Sequence, residues 1–106
     1  MKVVEITKDN YELEVEKYEK RILVDFYANW CGPCRMMMPV IEELSQEMPD
    51  IKFVRINVDD NEEVSRSFGV MSIPTFVVIE KGKVIGKIVG MTSKEKLQKM
   101  LSDDNK

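Results

Sequence analysis

The chain has no histidine among its 106 residues, and only two cysteines and one tryptophan. Without histidine, Ser-His and Cys-His nucleophile–base chemistry is excluded. The commonest ligand for transition metals is missing as well. Two cysteines are too few for a disulfide-built scaffold at this length. Charge of one sign is also scarce: 19 acidic and 16 basic residues leave a net charge of −3. No basic tract or stripe stands out, so no nucleic-acid partner is expected. Long apolar runs are absent too. The longest fall far short of the roughly 20 residues a membrane helix needs, so no membrane role is expected. The opening Met1-Lys2-Val3-Val4-Glu5 turns charged almost at once and lacks the apolar stretch of a secretory signal. The cytoplasm is therefore the expected compartment.

What remains is the material of one ordinary domain, expected to take in residues 1–106. A hydrophobic share of 43% is normal for a globular fold, so a core can form without metal or structural disulfides. No repeat, linker or low-complexity segment interrupts the chain.

Local patterns sort the sequence into alternating elements. Residues 3–6 read as a first strand. Asp9 or Asn10 can cap a helix whose apolar face is Tyr11, Val15 and Tyr18. Residues 22–28 form an almost continuous apolar run, the signature of a strand buried on both faces. A helix follows the cysteines to about Met48, with Met37, Val40, Ile41, Leu44 and Met48 as its stripe. Residues 51–58 are another strand, and Asn61 can cap a short helix bearing Val64 and Phe68. Residues 75–79 and 83–89 are strands joined as a hairpin through Glu80-Lys81-Gly82. Ser93 can cap a last helix carrying Leu97, Met100 and Leu101. The order β-α-β-α-β-α-β-β-α predicts an α/β fold: one mixed parallel and antiparallel sheet of about five strands, flanked by about four helices on both faces.

The chemistry lies at Cys31 and Cys34. Pro33 suits the first helical position, so the helix should start around Gly32 or Pro33. Cys31 then sits at the helix N-terminus, where free N–H groups and the macrodipole favour a thiolate. Cys34 is one turn on and shares its face, with Cβ atoms about 5–6 Å apart in a regular helix. A disulfide wants about 3.8 Å, so closure depends on Cys31 lying at the flexible edge beside Gly32. This geometry predicts one outer, reactive thiol and one inner, resolving thiol. Three plainer readings stand beside it. A structural disulfide this short would contribute roughly 2 kcal/mol by loop entropy. A zinc site wants four ligands, and the chain offers two cysteines. The pair could also be two ordinary reduced cysteines. Spacing and context favour a redox pair. The run Met36-Met37-Met38 invites a copper reading, but helical spacing spreads it around the helix and no other soft ligands accompany it. No metal site is expected.

The segment Val24-Asp25-Phe26-Tyr27-Ala28-Asn29-Trp30-Cys31-Gly32-Pro33-Cys34-Arg35 is very similar to the active-site segment of the thioredoxin family. The likeness continues at Pro39, where the family kinks its second helix, at Ile73-Pro74-Thr75, its cis-proline loop, and at the late glycines Gly82 and Gly90. It spans essentially the whole chain and implies a single thioredoxin domain that reduces protein disulfides. In that reading Cys31 is the nucleophile, Cys34 resolves the mixed disulfide, and a thioredoxin reductase or similar donor recharges the pair. No bound cofactor is implied, since the dithiol carries the electrons, and monomer is the default state.

The resemblance also implies roles around the pair. Asp25 interrupts an apolar strand with a charge. Its residues alone leave it open between a structural carboxyl and a general base with a raised pKa; the family likeness tips it to the base for Cys34. Spacing does not show the two meeting, because the extended chain from Asp25 to Cys31 spans about 20 Å. Trp30 would cap the disulfide and join a docking surface. Ser72, Ile73 and Pro74 would form a short edge for an extended substrate, bordered by Gly90. Two departures matter. Arg55 stands near a family lysine and would lower the pKa of Asp25 if it points inward. Tyr27 replaces a frequent tryptophan, with simple packing its favoured role. Two rival functions stay open: an oxidase or isomerase, and a binding subunit for which redox is incidental.

Overall fold

The computed structural model describes residues 2–103. Met1 and residues 104–106, which the expected domain also takes in, lie outside the described residues. Five strands build one sheet: β1 (Val3–Glu5), β2 (Ile22–Tyr27), β3 (Lys52–Asn57), β4 (Thr75–Glu80) and β5 (Lys83–Val89). Their order is β1-β3-β2-β4-β5. β1 and β2 run parallel to β3, while β4 pairs antiparallel with both β2 and β5. Three α-helices accompany it: α1 (Gly32–Glu47), α2 (Glu62–Ser67) and α3 (Lys94–Ser102), with a five-residue π-helical turn at Glu12–Glu16.

The apolar run that predicted a doubly buried strand is β2, whose six residues are all buried at the centre of the sheet. Side chains alternate across a strand, and that alternation divides the core. Leu23, Phe53, Phe76 and Val78 face Met37, Ile41 and Leu44 of α1 and Leu97 and Leu101 of α3. Ile22, Val24, Phe26, Val54, Ile56, Val77 and Ile79 face the other way, against Val15 of the π-helical turn and Val64 and Phe68 at α2. Each fully buried aliphatic or aromatic side chain stabilises the fold by about 1.5–3 kcal/mol, so both helical layers are held by area rather than by ion pairs.

Two expected caps are not made. Asn10 does not cap a helix; its Oδ1 accepts from Thr7 N–H at 2.7 Å and its Nδ2 donates to the Glu5 carbonyl at 3.0 Å. Asp9 is drawn into the same turn, its N–H donating to Thr7 Oγ1. The segment after it winds as a π-helical turn, with no side-chain cap. Tyr11, Val15 and Tyr18 still reach the core. Asn61 precedes α2 without a side-chain cap bond, because its Nδ2 donates to the Asn57 carbonyl instead. Such local side-chain bonds compete directly with capping. Ser93 does cap α3, accepting from Lys96 N–H at 3.1 Å.

The hairpin is tighter than expected. β4 runs to Glu80, leaving the two-residue turn Lys81-Gly82, whose φ angles are +53° and +77°. Positive φ at both central positions is the type I′ pattern that matches strand twist, and glycine adopts it without penalty. Pro39 lies inside α1, with no N–H to offer the preceding turn.

Candidate active site

Cys31 is the N-cap residue of α1 and Pro33 falls in its first turn. Cys31 has extended backbone angles, while its sulfur accepts from Cys34 N–H at 3.2 Å. The cap role that Ser or Asp fills elsewhere is filled by the sulfur itself. The two cysteines form a disulfide, with Cα atoms 5.3 Å apart. The helix can close this ring because Cys31 stands outside it. Residue exposure does not separate an outer from an inner sulfur: Cys31 and Cys34 are 4% and 3% exposed. They differ by position instead, one before the helix and one within it. Both pack with Tyr27 and Ala28, against Val58 and Ile73.

Strand parity turns Asp25 toward the α1 side of the sheet. It shares its side of β2 with Leu23 and Tyr27, the side on which α1 lies. It is buried, and its Oδ1 has no hydrogen-bond partner among the described residues. Burial pushes its pKa up to about 7; the Arg55 cation opposes that rise and Glu5 adds a smaller push upward. Arg55 points along the sheet to Glu5, with Nε 3.5 Å from Oε1. Its guanidinium stacks 3.8 Å from the Tyr27 ring centre. Tyr27 does more than pack: its hydroxyl donates to Glu5 Oε2 at 2.8 Å. A cavity of about 210 Å³ opens beside Cys34, walled by Tyr27, Ala28, Asn29, Arg35, Met38 and Arg55.

A second, open groove of about 350 Å³ is lined by Trp30, Val58, Val70, Met71, Ser72 and Ile73. Trp30 is 68% exposed and is fixed by its Nε1–H donating to Asp59 Oδ2 at 2.8 Å. The Ile73–Pro74 peptide is cis. Ser72 is anchored through its carbonyl, which accepts from Thr75 Oγ1 at 2.6 Å. Gly90, at φ +90°, donates its N–H to the Pro74 carbonyl at 2.7 Å. Ile73 thus packs against the cysteines and shares the groove with Trp30 and Ser72; Gly90 is tied to Pro74, and Gly82 sits in the hairpin turn.

Sequence reasoning missed Asp59, Val58, Val70, Met71 and Glu5. An apolar Val70-Met71 pair in a loop was a readable signal for the groove, since a loop gains little from exposed apolar side chains. Nothing in the sequence pairs Asp59 with Trp30 or Glu5 with Tyr27, because those contacts join separate elements. Among the described residues no cluster of His, Cys, Asp or Glu could hold a metal, and no helix is long and apolar enough to cross a membrane.

Comparison with known proteins agrees with this geometry. The thioredoxin family model matches residues 2–103. The chain is 46% identical to a thioredoxin of Bacillus subtilis over 103 residues, covering 96% of this chain and 97% of that one. It is 45% identical to a thioredoxin of Listeria monocytogenes over 101 residues, covering 94% and 96%. The crystal structure of thioredoxin NaTrxh from Nicotiana alata superposes with a TM-score of 0.85 at 38% identity, over 92% of this chain and 88% of that one. The match runs from the first strand to the last helix, and on it this chain belongs to the thioredoxin family.

Proposed function

We propose that this chain is a thiol–disulfide oxidoreductase that reduces disulfides in other proteins. The observation that carries the reading is the Cys31–Cys34 disulfide at the N-terminus of α1, with the Cys31 sulfur as the helix cap. A group that accepts the first-turn N–H gains when it is an anion. That favours Cys31 as the thiolate once the pair is reduced.

The exchange then runs in two displacements. Cys31 thiolate attacks one sulfur of the substrate disulfide. A Cys31–substrate disulfide forms, and the other substrate sulfur leaves as thiolate and takes a proton from water. Cys34 gives its proton to the Asp25 carboxylate and attacks Cys31 Sγ. The mixed disulfide breaks, the second substrate sulfur leaves and is protonated, and the Cys31–Cys34 disulfide is restored. Two electrons pass to the substrate, and a thioredoxin reductase or similar donor returns them. A carboxyl with its pKa near 7 suits the base in that second step. The groove beside Trp30 is the docking surface, with Ser72, Ile73 and cis-Pro74 as an edge for an extended peptide and Gly90 as its border. Gly32 and Pro33 let Cys31 stand outside a helix that still begins at once. Pro39 and Gly82 have structural roles only. One domain holds every group the exchange needs, which supports action as a monomer. The Gly-Pro pair between the cysteines is of the reducing type, which fits the cytoplasm.

The test is the equilibrium reduction potential of the pair in a thiol–disulfide buffer, followed by Trp30 fluorescence. A strongly reducing value, with the transition lost in Cys31→Ser, is expected. A value in the range of oxidising relatives would make this an oxidase or isomerase. No reversible transition would leave a binding module.

A further inference from the structure

A row of side chains crosses the sheet on the α1 side. Glu5 of β1 is in register with Arg55 of β3, Arg55 with Asp25 of β2, and Asp25 with Phe76 of β4. The row runs from solvent to the centre: the Glu5 side chain is 47% exposed, that of Arg55 20%, and Asp25 is buried. Arg55 therefore stands between two carboxyl groups. Its contacts show which it takes. The guanidinium lies against Glu5 and over the Tyr27 ring. Tyr27 in turn fixes Glu5 through its hydroxyl. Arg55 makes no salt bridge to Asp25 among the described residues; Asp25 Oδ1 and Arg55 Nε are both without a hydrogen-bond partner there, so Glu5 holds the guanidinium by charge rather than by a hydrogen bond at Nε.

We propose that Glu5 is a positioning residue for the buried acid: with Tyr27 it clamps the Arg55 guanidinium toward the edge of the sheet and so keeps that cation from pairing with Asp25. An arginine cannot discharge on burial, so the chain can limit its field at Asp25 only by holding it at a distance. The flat guanidinium suits the task, because it can stack on an aromatic face while it meets a carboxylate. Burial and the bond to Glu5 push the Tyr27 hydroxyl up to about 12, so it remains the donor at neutral pH. The other groups on this side of the sheet do not replace this control. Cys34 of α1 packs with Tyr27 and is held in the disulfide. Arg35 walls the cavity beside Cys34 together with Arg55, its Nη1 donating to the Asn29 carbonyl. β4 brings the uncharged Phe76.

The proposal rests on the reading of Asp25 as the base only for its consequence, that the clamp sets how strong a base Cys34 meets. Its test reads the carboxyl itself. The full-length oxidised protein, ¹³C-labelled at aspartate, is titrated by NMR and the Asp25 midpoint recorded. In Glu5→Gln the freed Arg55 can turn to Asp25, and the midpoint falls by about half a pH unit or more, roughly a threefold change in the protonated-to-ionised ratio. Glu5→Ala gives the same direction. In an Arg55→Gln background, Glu5→Gln moves the midpoint by no more than about 0.2 pH unit, the residue of its direct field. An unchanged midpoint in Glu5→Gln overturns the clamp. So does an equal fall in both backgrounds, since Glu5 would then act by charge alone. Disulfide reduction unimpaired in Asp25→Asn would instead end the base role and leave the clamp standing.

Discussion

Replacing Asp25 by Asn turns its burial into a measurable slope of stability against pH. The native state holds the Asp25 proton up to about pH 7, whereas the ordinary carboxyl releases it near 3.8. Between those values the native state binds more protons than the unfolded chain, so stability must fall as pH rises. The contribution is fully present below the ordinary pKa and is lost once pH has risen through the native one. A displacement from 3.8 to about 7, at about 1.4 kcal/mol per pH unit, makes the loss about 4 kcal/mol. Asn has nearly the same shape and no proton to lose. Whatever constant cost its amide brings cancels when the two proteins are compared at two pH values. The assay is guanidinium unfolding of both oxidised proteins at pH 4 and pH 8. The variant should gain about 4 kcal/mol on the native protein across that range, about 1–2 M in midpoint for a domain of this size. A stability difference constant to within about 1 kcal/mol would refute the argument. Asp25 would then be ionised at the same pH in both states, despite its burial.

Three further outcomes follow from other parts of the molecule. Cys34→Ser should stall the exchange after its first step, so a protein disulfide substrate stays linked to Cys31 and mass spectrometry of the non-reduced mixture finds the adduct; the double variant with Cys31→Ser should form none. Arg21, just before β2, joins the end of β4 to the end of α3, donating to Glu80 Oε1 at 3.0 and 2.6 Å and to the Leu101 and Asp103 carbonyls at 2.8 and 2.7 Å. Arg21→Met keeps the apolar stem and loses those bonds, and thermal unfolding should report a loss of about 2–3 kcal/mol. A Cβ on Gly86 would lie 2.9 Å from Met100 Cγ, so Gly86→Ala should destabilise by about 1 kcal/mol. Met100→Ala should be less harmful in that background than alone, a coupling that a double-mutant cycle measures.

Much of the frame was legible because it is written in local patterns. The apolar run that became β2 can be buried on both faces and nowhere else. Pro33 after Gly32 starts α1, and Cys31 becomes its cap by position alone. Ser93 caps α3, its hydroxyl accepting from Lys96 N–H. Where a competitor existed, the local pattern misled. Asn10 and Asn61 have the chemistry of caps, but neighbouring backbone groups in the preceding turns took their side chains first.

The redox pair, the order of elements and the charge set within an apolar strand can all be read from the chain alone. Each of these depends on residues within one turn or one strand of each other. What that charge meets depends on how the strands assemble. Strand parity turned Asp25 toward α1, and parallel pairing set Arg55 beside it and Glu5 beyond. These residues lie 20 to 50 positions apart, so no window on the chain contains them together. The same holds for Trp30 and Asp59, and for a groove whose walls come from three separate loops. Side-chain chemistry is local, but the field and the surface a side chain feels are sums over neighbours that the sheet brings together. The sequence therefore names the reactive groups, and the fold sets the surroundings that tune them.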